Sequence, residues 1–447
     1  MPSVSIMTSR DLLFRLADDK PFAFRNGKPI YPSRLYADLQ RTERLINPAT
    51  GDILVTCKGR YEFSLALLAS WRSGKTVILP PNLHQATLEH IRRQHTIANE
   101  FGDGFSGFAG ATVAKDDDKP FELQFSQTHP ALTIYTSGST GAPKPVHKSI
   151  GNIFAEAFAL KQVLAWPDKP LVASVPPHHL YGLTFSVLLP WVLGIPMVNE
   201  CPLHAEEVID AIDRVDAGTL ISVPVHLRSL LEQKISCKPI MTISSASVLD
   251  RDIAIQWQEK SGREIVEIYG SSETGVIAYR RQLSDAGWIP FPDVRIGTSE
   301  HGLLQVASPF IHNSEGNIFQ TQDRVSLLEG RRFQLHGRAD SIVKIAGKRV
   351  SLLAVEEAIK RCRGVVDAAV TAVPVQGHIR DMAIWAAVAT GEEGDVDART
   401  IRTQLLPQLD GINMPRRIVT MKQLPREENG KLSREKLMAL FHKDALP

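Results

Sequence analysis

The stretch Thr133–Ser149, TIYTSGSTGAPKPVHKS, holds three Ser, three Thr, two Gly, two Pro and two Lys in seventeen residues. Those side chains suit a phosphate. Thr136, Ser137, Ser139 and Thr140 offer hydroxyl donors, and Lys144 adds a mobile positive charge. Gly138 and Gly141 let backbone N–H groups close on an anion. A P-loop of the kinase and GTPase kind needs GxxxxGK followed by Ser or Thr. Five residues after Gly138 stands Pro143, and Lys144 is followed by Pro145, which brings no hydroxyl for magnesium and no N–H. A second near-match, SGKT at Ser73–Thr76, has Ala69 where the first glycine belongs and follows a helix-like segment. Gly74 there reads as the glycine that ends a helix. For Thr133–Ser149 two readings remain: another nucleotide loop, or a plain Ser/Thr/Gly turn.

The elements around it alternate. SRLYADLQRTERLI has helical spacing, with Ser33 as its expected N-cap. DILVTC and TVILP read as strands, and EFSLALLASWRSG between them as a helix ending at Gly74. ALTIY is the strand entering the phosphate-like loop. LVASVPP, TLISVP, MTISSAS and REIVEIYG are further strand-then-turn segments, separated by helices such as AEEVIDAIDRV. This order predicts an α/β fold with parallel sheets covered by helices, and ligands at the carboxyl ends of the strands. Near residue 340 the pattern changes. A basic segment VKIAGKRV, a helix SLLAVEEAIKRC capped by Ser351, strands VVDAAVTAVP and MAIWAAVAT, a helix ARTIRTQLLPQL and the tail PREENGKLSREKLMALF follow. The expected organisation is a large α/β portion over 1–339 and a small α+β domain over 340–447. Ala114–Pro120 reads as a solvated linker.

With 447 residues, 43% apolar and 22% charged, the chain can bury a large core. Net charge is +2, which gives no electrostatic reason to expect nucleic acid or an anionic membrane as partner. Cys57, Cys201, Cys237 and Cys362 lie far apart, so no CxxC zinc or dithiol motif arises, and a reduced compartment is expected. Met1–Lys20 lacks the basic-then-apolar order of a signal peptide. The run TFSVLLPWVLGIPMV is too short and too broken to span a bilayer. The expected location is cytoplasmic.

Five ordered stretches carry a resemblance: TSGSTGAPKPV, PPHHLYGL, IYGSSETG, TQD with HGRADSIVKIAGKRV, and NGKLSREKL. From about Leu132 to Leu437 the chain resembles the adenylate-forming superfamily, which includes acyl- and aryl-CoA synthetases, firefly luciferase and peptide-synthetase adenylation domains. The resemblance implies a large N-terminal portion and a small mobile C-terminal domain. It implies a two-step reaction. A carboxylate attacks the α-phosphate of Mg-ATP, and a thiol of coenzyme A or carrier-protein phosphopantetheine then displaces AMP. It also assigns residues. Thr136–Lys144 grips the β- and γ-phosphates. Glu273 is the Mg2+ ligand, Tyr269 lies against adenine and Ser272 touches phosphate. Asp323 takes the ribose hydroxyls, and Arg338 is a second ribose or phosphate contact. Asp340 is the hinge. Lys431 sits between carboxylate and α-phosphate. Lys344 and Gly347 replace it after rotation. The chain departs from the family pattern at Ser272, where Thr is usual, and at Gln322, where Gly is usual.

The acid side follows the same resemblance. His179 matches the histidine common in acyl- and aryl-acid ligases and Tyr181 the aromatic gate, while Ser245, Ala246 and Gly270 border the acyl group. Amino-acid-activating relatives carry an aspartate to pair the substrate ammonium, and Pro176–Val198 contains no acid. An unpaired buried ammonium is costly, so an aryl or aliphatic carboxylic acid is expected over an amino acid, and an aryl or short- to medium-chain acid over a long-chain fatty acid. Coenzyme A and an acyl carrier protein remain equal as acceptors, and the oligomeric state is open. A trimmed, non-catalytic adenylate-binding protein is the alternative. A kinase-like phosphotransferase, releasing ADP in place of AMP, is a third.

Overall fold

The computed structural model describes residues 3–6, 11–16, 19–104, 121–136, 144–233, 239–312, 318–339, 342–345, 348–375, 382–391, 396–409, 411–427, 432 and 434–443. The strands read from sequence appear as Asp52–Val55, Val77–Leu79, Pro130–Thr136, Leu171–Ala173, Thr219–Ser222, Met241–Ser244 and Ile265–Ser271. They are buried along most of their length because both faces are covered, as parallel sheets require.

Two large sheets result. One has the order Lys144–Ser149, Pro130–Thr136, Val77–Leu79, Asp52–Val55, Ile97–Phe101. The first of these is antiparallel to its neighbour and the rest run parallel. The other has nine strands. Six of them run parallel in the order Ile265–Ser271, Met241–Ser244, Thr219–Ser222, Leu171–Ala173, Met197–Val198, Ala23–Arg25. The hairpin strand Gly275–Arg281 turns back antiparallel on Ile265–Ser271.

Helices Arg60–Arg72 and Ile150–Val163, with the helical stretch 180–193, pack into one apolar cluster that includes Phe63, Leu67, Trp71, Phe154, Leu183 and Trp191. Arg60–Arg72 is apolar nearly all round, which fits a helix buried on all sides. Its C-terminal Gly74 has φ +68°. The GKT near-match is therefore a helix end. Ser33 is not an N-cap. Pro32 opens helix Pro32–Arg44 and Tyr31 is the cap, because a proline ring already holds the φ that the first helical position needs.

Two antiparallel sheets went unread in the sequence: Ser3–Ile6, Asp11–Leu16 and Phe121–Ser126, and then Arg295–Thr298, Leu303–Ala307, Phe319–Leu327 and Phe333–Arg338. Every sheet among the described residues lies wholly before or wholly after residue 340. Beyond it, VKIAGKRV forms the hairpin Ile342–Ile345 with Lys348–Ser351. Helix Leu352–Lys360 is capped by Ser351 Oγ, which accepts the Ala354 N–H at 3.2 Å. Asp367–Pro374 and Met382–Ala389 pair antiparallel, and an unexpected strand, Arg417–Met421, adds parallel to the second. Helices Ala398–Leu405 and Arg434–Lys443 complete this part. Arg228 donates to the Val366 carbonyl at 2.7 Å, a contact between the two portions. The Ala114–Pro120 linker lies outside the described residues.

Candidate active site

The parallel strands ending at Ala173, Ser222, Ser244 and Ser271 send their following segments to one edge of the sheet. Four sequence-predicted segments meet there for that reason alone.

Among the residues expected to meet the nucleotide, the Tyr269 hydroxyl donates to Asp323 Oδ2 at 2.6 Å. Burial, and then the Asp323 carboxylate, push this phenol far above its usual range, so it stays a donor. The Tyr269 ring packs beside Trp288 and Phe333, with centroids 5.5 and 5.9 Å away. Asp323 stands opposite Arg338 in the antiparallel pair, and its N–H donates to Thr321 Oγ1 at 3.0 Å. Tyr269 is thus brought together with Asp323 and Arg338, which lie more than fifty residues later in sequence on two paired strands.

Glu273 sits in the tight turn between Ile265–Ser271 and Gly275–Arg281. Ser271 and Thr274 brace the turn reciprocally: each backbone N–H donates to the other's hydroxyl at 3.2 Å. Gly270 is required here, because a β-carbon would lie 2.3 Å from the Gly275 carbonyl oxygen. Ser272 and Glu273 are half-buried at the tip. Among the described residues no three His, Cys, Asp or Glu side chains converge as a metal cage. A single carboxylate such as Glu273 still fits Mg2+, which takes few protein ligands and completes its shell with phosphate oxygens and water.

Beneath this turn lie two charges that sequence reasoning missed. Lys148 is 1% exposed and donates from Nζ to the carbonyls of Glu273 (2.9 Å) and Phe310 (2.6 Å). Glu156, also buried, accepts the Val276 N–H at 3.0 Å. Burial lowers the Lys148 ammonium to about 8 and raises the Glu156 carboxyl to about 7, and each partly offsets the other's shift. The available clue was a single acid inside the otherwise apolar helix segment IFAEAFAL.

The phosphate-like loop is closed by Thr136 and Lys144, which pair across Pro130–Thr136 and Lys144–Ser149. The Thr136 hydroxyl donates to the Lys144 carbonyl at 3.4 Å. Ser137, Gly138, Ser139, Thr140 and Gly141 lie outside the described residues. So do Asp340, Gly347 and Lys431, and of Lys344 only the backbone, in Ile342–Ile345, is described.

Of the residues expected to border the acid, His179 precedes the helical stretch 180–193, and its ring lies tilted against that of His178 with centroids 4.4 Å apart. The Tyr181 hydroxyl donates to the carbonyls of Ser222 (2.9 Å) and Ile243 (3.3 Å), and its ring lies 5.0 Å from that of Phe185. It is therefore pinned to two strand ends. Ser245 Oγ donates to the Ile268 carbonyl at 2.8 Å. Ala246 adopts φ +72°, a left-handed conformation that favours glycine and costs a residue with a side chain about 1 kcal/mol of backbone strain. Gly182 sits where a β-carbon would meet the Pro176 carbonyl oxygen at 2.0 Å, which fixes the helix start against the PPHH segment.

His178 is 3% exposed, and its Nδ1 has no hydrogen-bond partner among the described residues. Burial, and then Lys58, lower it to about 4. The unfolded chain has its histidine near 6.5 and takes up the proton first. The stability contribution is thus full above pH 6.5 and lost as pH falls toward 4. Up to about 3 kcal/mol should disappear over that range. Urea unfolding from pH 7 to 4 should show this slope in the wild type and a shallower one in His178→Asn. Identical slopes would remove the assignment.

The description "AMP-binding enzyme" fits the family model that matches residues 76–302, and the model of the "AMP-binding enzyme C-terminal domain" matches 354–431. A 4-coumarate–CoA ligase of Halorhodospira halophila is 28% identical over 309 residues, covering 69% of this chain and 76% of that protein. The human mitochondrial malonate–CoA ligase ACSF3 is 24% identical over 413 residues, covering 75% of this chain and 69% of that protein. The fold resembles that of O-succinylbenzoate coenzyme A synthetase from Bacillus subtilis in complex with AMP, with TM-score 0.75 and 17% identity over 94% of this chain and 95% of the other. With a matched model over half its length and the ordered site beneath it, the chain belongs to the AMP-binding enzyme family and is an AMP-forming acid–thiol ligase of the adenylate-forming superfamily.

Proposed function

We propose that this ligase activates an aryl or short- to medium-chain carboxylic acid and passes it to the thiol of coenzyme A or of a carrier-protein phosphopantetheine. The observation that carries the reading is the meeting of Tyr269, Asp323 and Arg338 with the Glu273 turn at one sheet edge. In the first step a carboxylate oxygen bonds to the α-phosphorus, the bond from that phosphorus to the bridging oxygen breaks, and pyrophosphate leaves. In the second a thiolate sulfur attacks the acyl carbon and AMP leaves.

Asp323, its carboxylate aimed by Tyr269, accepts hydrogen bonds from the ribose diol. Thr136 to Lys144 hold the outgoing phosphates. Glu273 would hold Mg2+, and the chemistry that ion would supply is neutralisation of charge on the phosphate oxygens. Lys431 stabilises the charge that develops between carboxylate and α-phosphate. Rotation of residues 340–447 about Asp340 then presents Lys344 and Gly347 in its place. That movement has to break the Arg228–Val366 bond. The absence of any acid from Pro176 to Val198 supports an acid without an ammonium group. The name of the 4-coumarate–CoA ligase relative supports an aryl acid. No helix among the described residues is long and apolar enough to cross a membrane.

The test is ATP–pyrophosphate exchange across aryl, short, medium and long acids, followed by thiol transfer to coenzyme A and to a holo carrier protein. Exchange with an aryl or short acid is expected. Exchange with none would favour the non-catalytic adenylate binder, and ADP as product would favour a phosphotransferase.

A further inference from the structure

Lys148 is a buried charge that the reaction as described leaves unused. It lies on the strand that leaves the phosphate loop, four residues after Lys144. Alternate residues of a strand share a face, so the two lysines lie on the same side of it, roughly 13 Å apart. Lys144 is exposed at the loop and Lys148 is buried at the far end.

What Lys148 grips is specific. It donates to the carbonyl of Glu273 at 2.9 Å, 125 residues away in sequence, and to that of Phe310 at 2.6 Å. Asn152 Nδ2 donates to Pro309 and Ile311 on either side, at 2.7 and 3.3 Å. Three consecutive carbonyls are therefore held from one strand–helix corner. That corner is itself locked, since Ser149 N–H donates to Asn152 Oδ1 at 2.9 Å and Asn152 N–H to Ser149 Oγ at 3.2 Å. On the other side of the turn, Glu156 accepts the Val276 N–H at 3.0 Å. The Glu273 turn is thus held at Glu273 itself and again at Val276, just past it, by two residues of the segment that follows the phosphate loop.

Burying an ammonium is expensive, and a corner that served stability alone would do as well with apolar side chains. A charge is worth its cost where donors must be placed accurately on backbone. We propose that Lys148 is a positioning residue for the Glu273 carboxylate, fixing the Glu273 backbone against the exit strand of the phosphate loop so that loop and turn address the same phosphates. The inference rests on the reading of Glu273 as the Mg2+ ligand.

Calorimetry on the full chain tests it with two ligands: AMP, and a non-hydrolysable ATP analogue with Mg2+. Lys148→Met should weaken the magnesium–analogue complex about tenfold, as loss of an outer support does, and leave AMP within about twofold. Lys148→Gln keeps one amide donor and should fall between; if Lys148→Met does not fold, it carries the same comparison. Equal weakening of both ligands, or no weakening of either in a folded variant, overturns the proposal. Glu273→Ala separates the two readings. If it leaves the magnesium–analogue affinity at the wild-type value, the metal reading fails and the positioning role with it. If it weakens that complex and Lys148→Met does not, the positioning role alone is lost.

Discussion

Replacing Lys431 with alanine is expected to lower ATP–pyrophosphate exchange by about 10²–10³-fold while leaving thiol transfer from preformed acyl-adenylate nearly unchanged. The asymmetry follows from where charge builds up. In the first step two anions, carboxylate and α-phosphate, are driven together, and the new bond loads further charge onto the phosphate oxygens. An ammonium between them lowers that barrier far more than it stabilises either ground state. In the second step the thiolate approaches a carbonyl, and under the proposed rotation Lys431 has left the site. Exchange and transfer are measured separately, so the two halves report independently. An equal loss in both would mean that Lys431 supports the fold or the small domain's docking. Lys344→Ala should show the converse, with exchange retained and transfer slowed.

Arg60→Met is expected to cost at least about 3 kcal/mol of stability and to impair acid activation through the segment 174–179. Arg60 is fully buried at the start of helix Arg60–Arg72. Its guanidinium donates to the carbonyls of Ala173 (2.8 Å), Val175 (2.6 Å), Val198 (3.4 Å) and Glu200, and to Ser186 Oγ (2.8 Å). Burial lowers its pKa, yet guanidinium has so high an ordinary value that it remains charged. The side chain closes the carboxyl ends of two neighbouring parallel strands and fixes the backbone leading to His178 and His179. Methionine fills the space and supplies none of the donors, so several buried carbonyls lose their partners at once. Arg60→Lys keeps the charge with fewer, unforked donors and should fall between. A cost below about 1 kcal/mol for Arg60→Met would show that water or neighbouring groups take over those carbonyls.

Much of the fold was legible. TLISVP, MTISSAS and REIVEIYG became Thr219–Ser222, Met241–Ser244 and Ile265–Ser271, because short runs rich in β-branched residues between helices have few other solutions. Tyr269, Glu273 and Asp323 were legible as motif residues, and the structure brings Tyr269 and Asp323 into direct contact. The strand Arg417–Met421 was not legible, since its partner Met382–Ala389 lies far back in the chain and the pairing depends on sheet order. Ser33 failed as a cap because Pro32, one residue earlier, already sets the helical φ.

The sequence by itself determined that the Ser/Thr/Gly loop can offer donors to a phosphate but is not a P-loop, and the order of the chain's five motifs carried the resemblance to adenylating enzymes. Residue type and short spacing suffice for the first, because a proline without an N–H or a glycine that admits an anion acts locally. Only the tertiary structure decided how those parts are held at fixed height. Lys148 and Glu156 under the Glu273 turn, and Arg60 behind the histidines, are buried charged residues that no motif marked. Their partners are backbone groups brought near by sheet order, and backbone carbonyls leave no mark in a sequence.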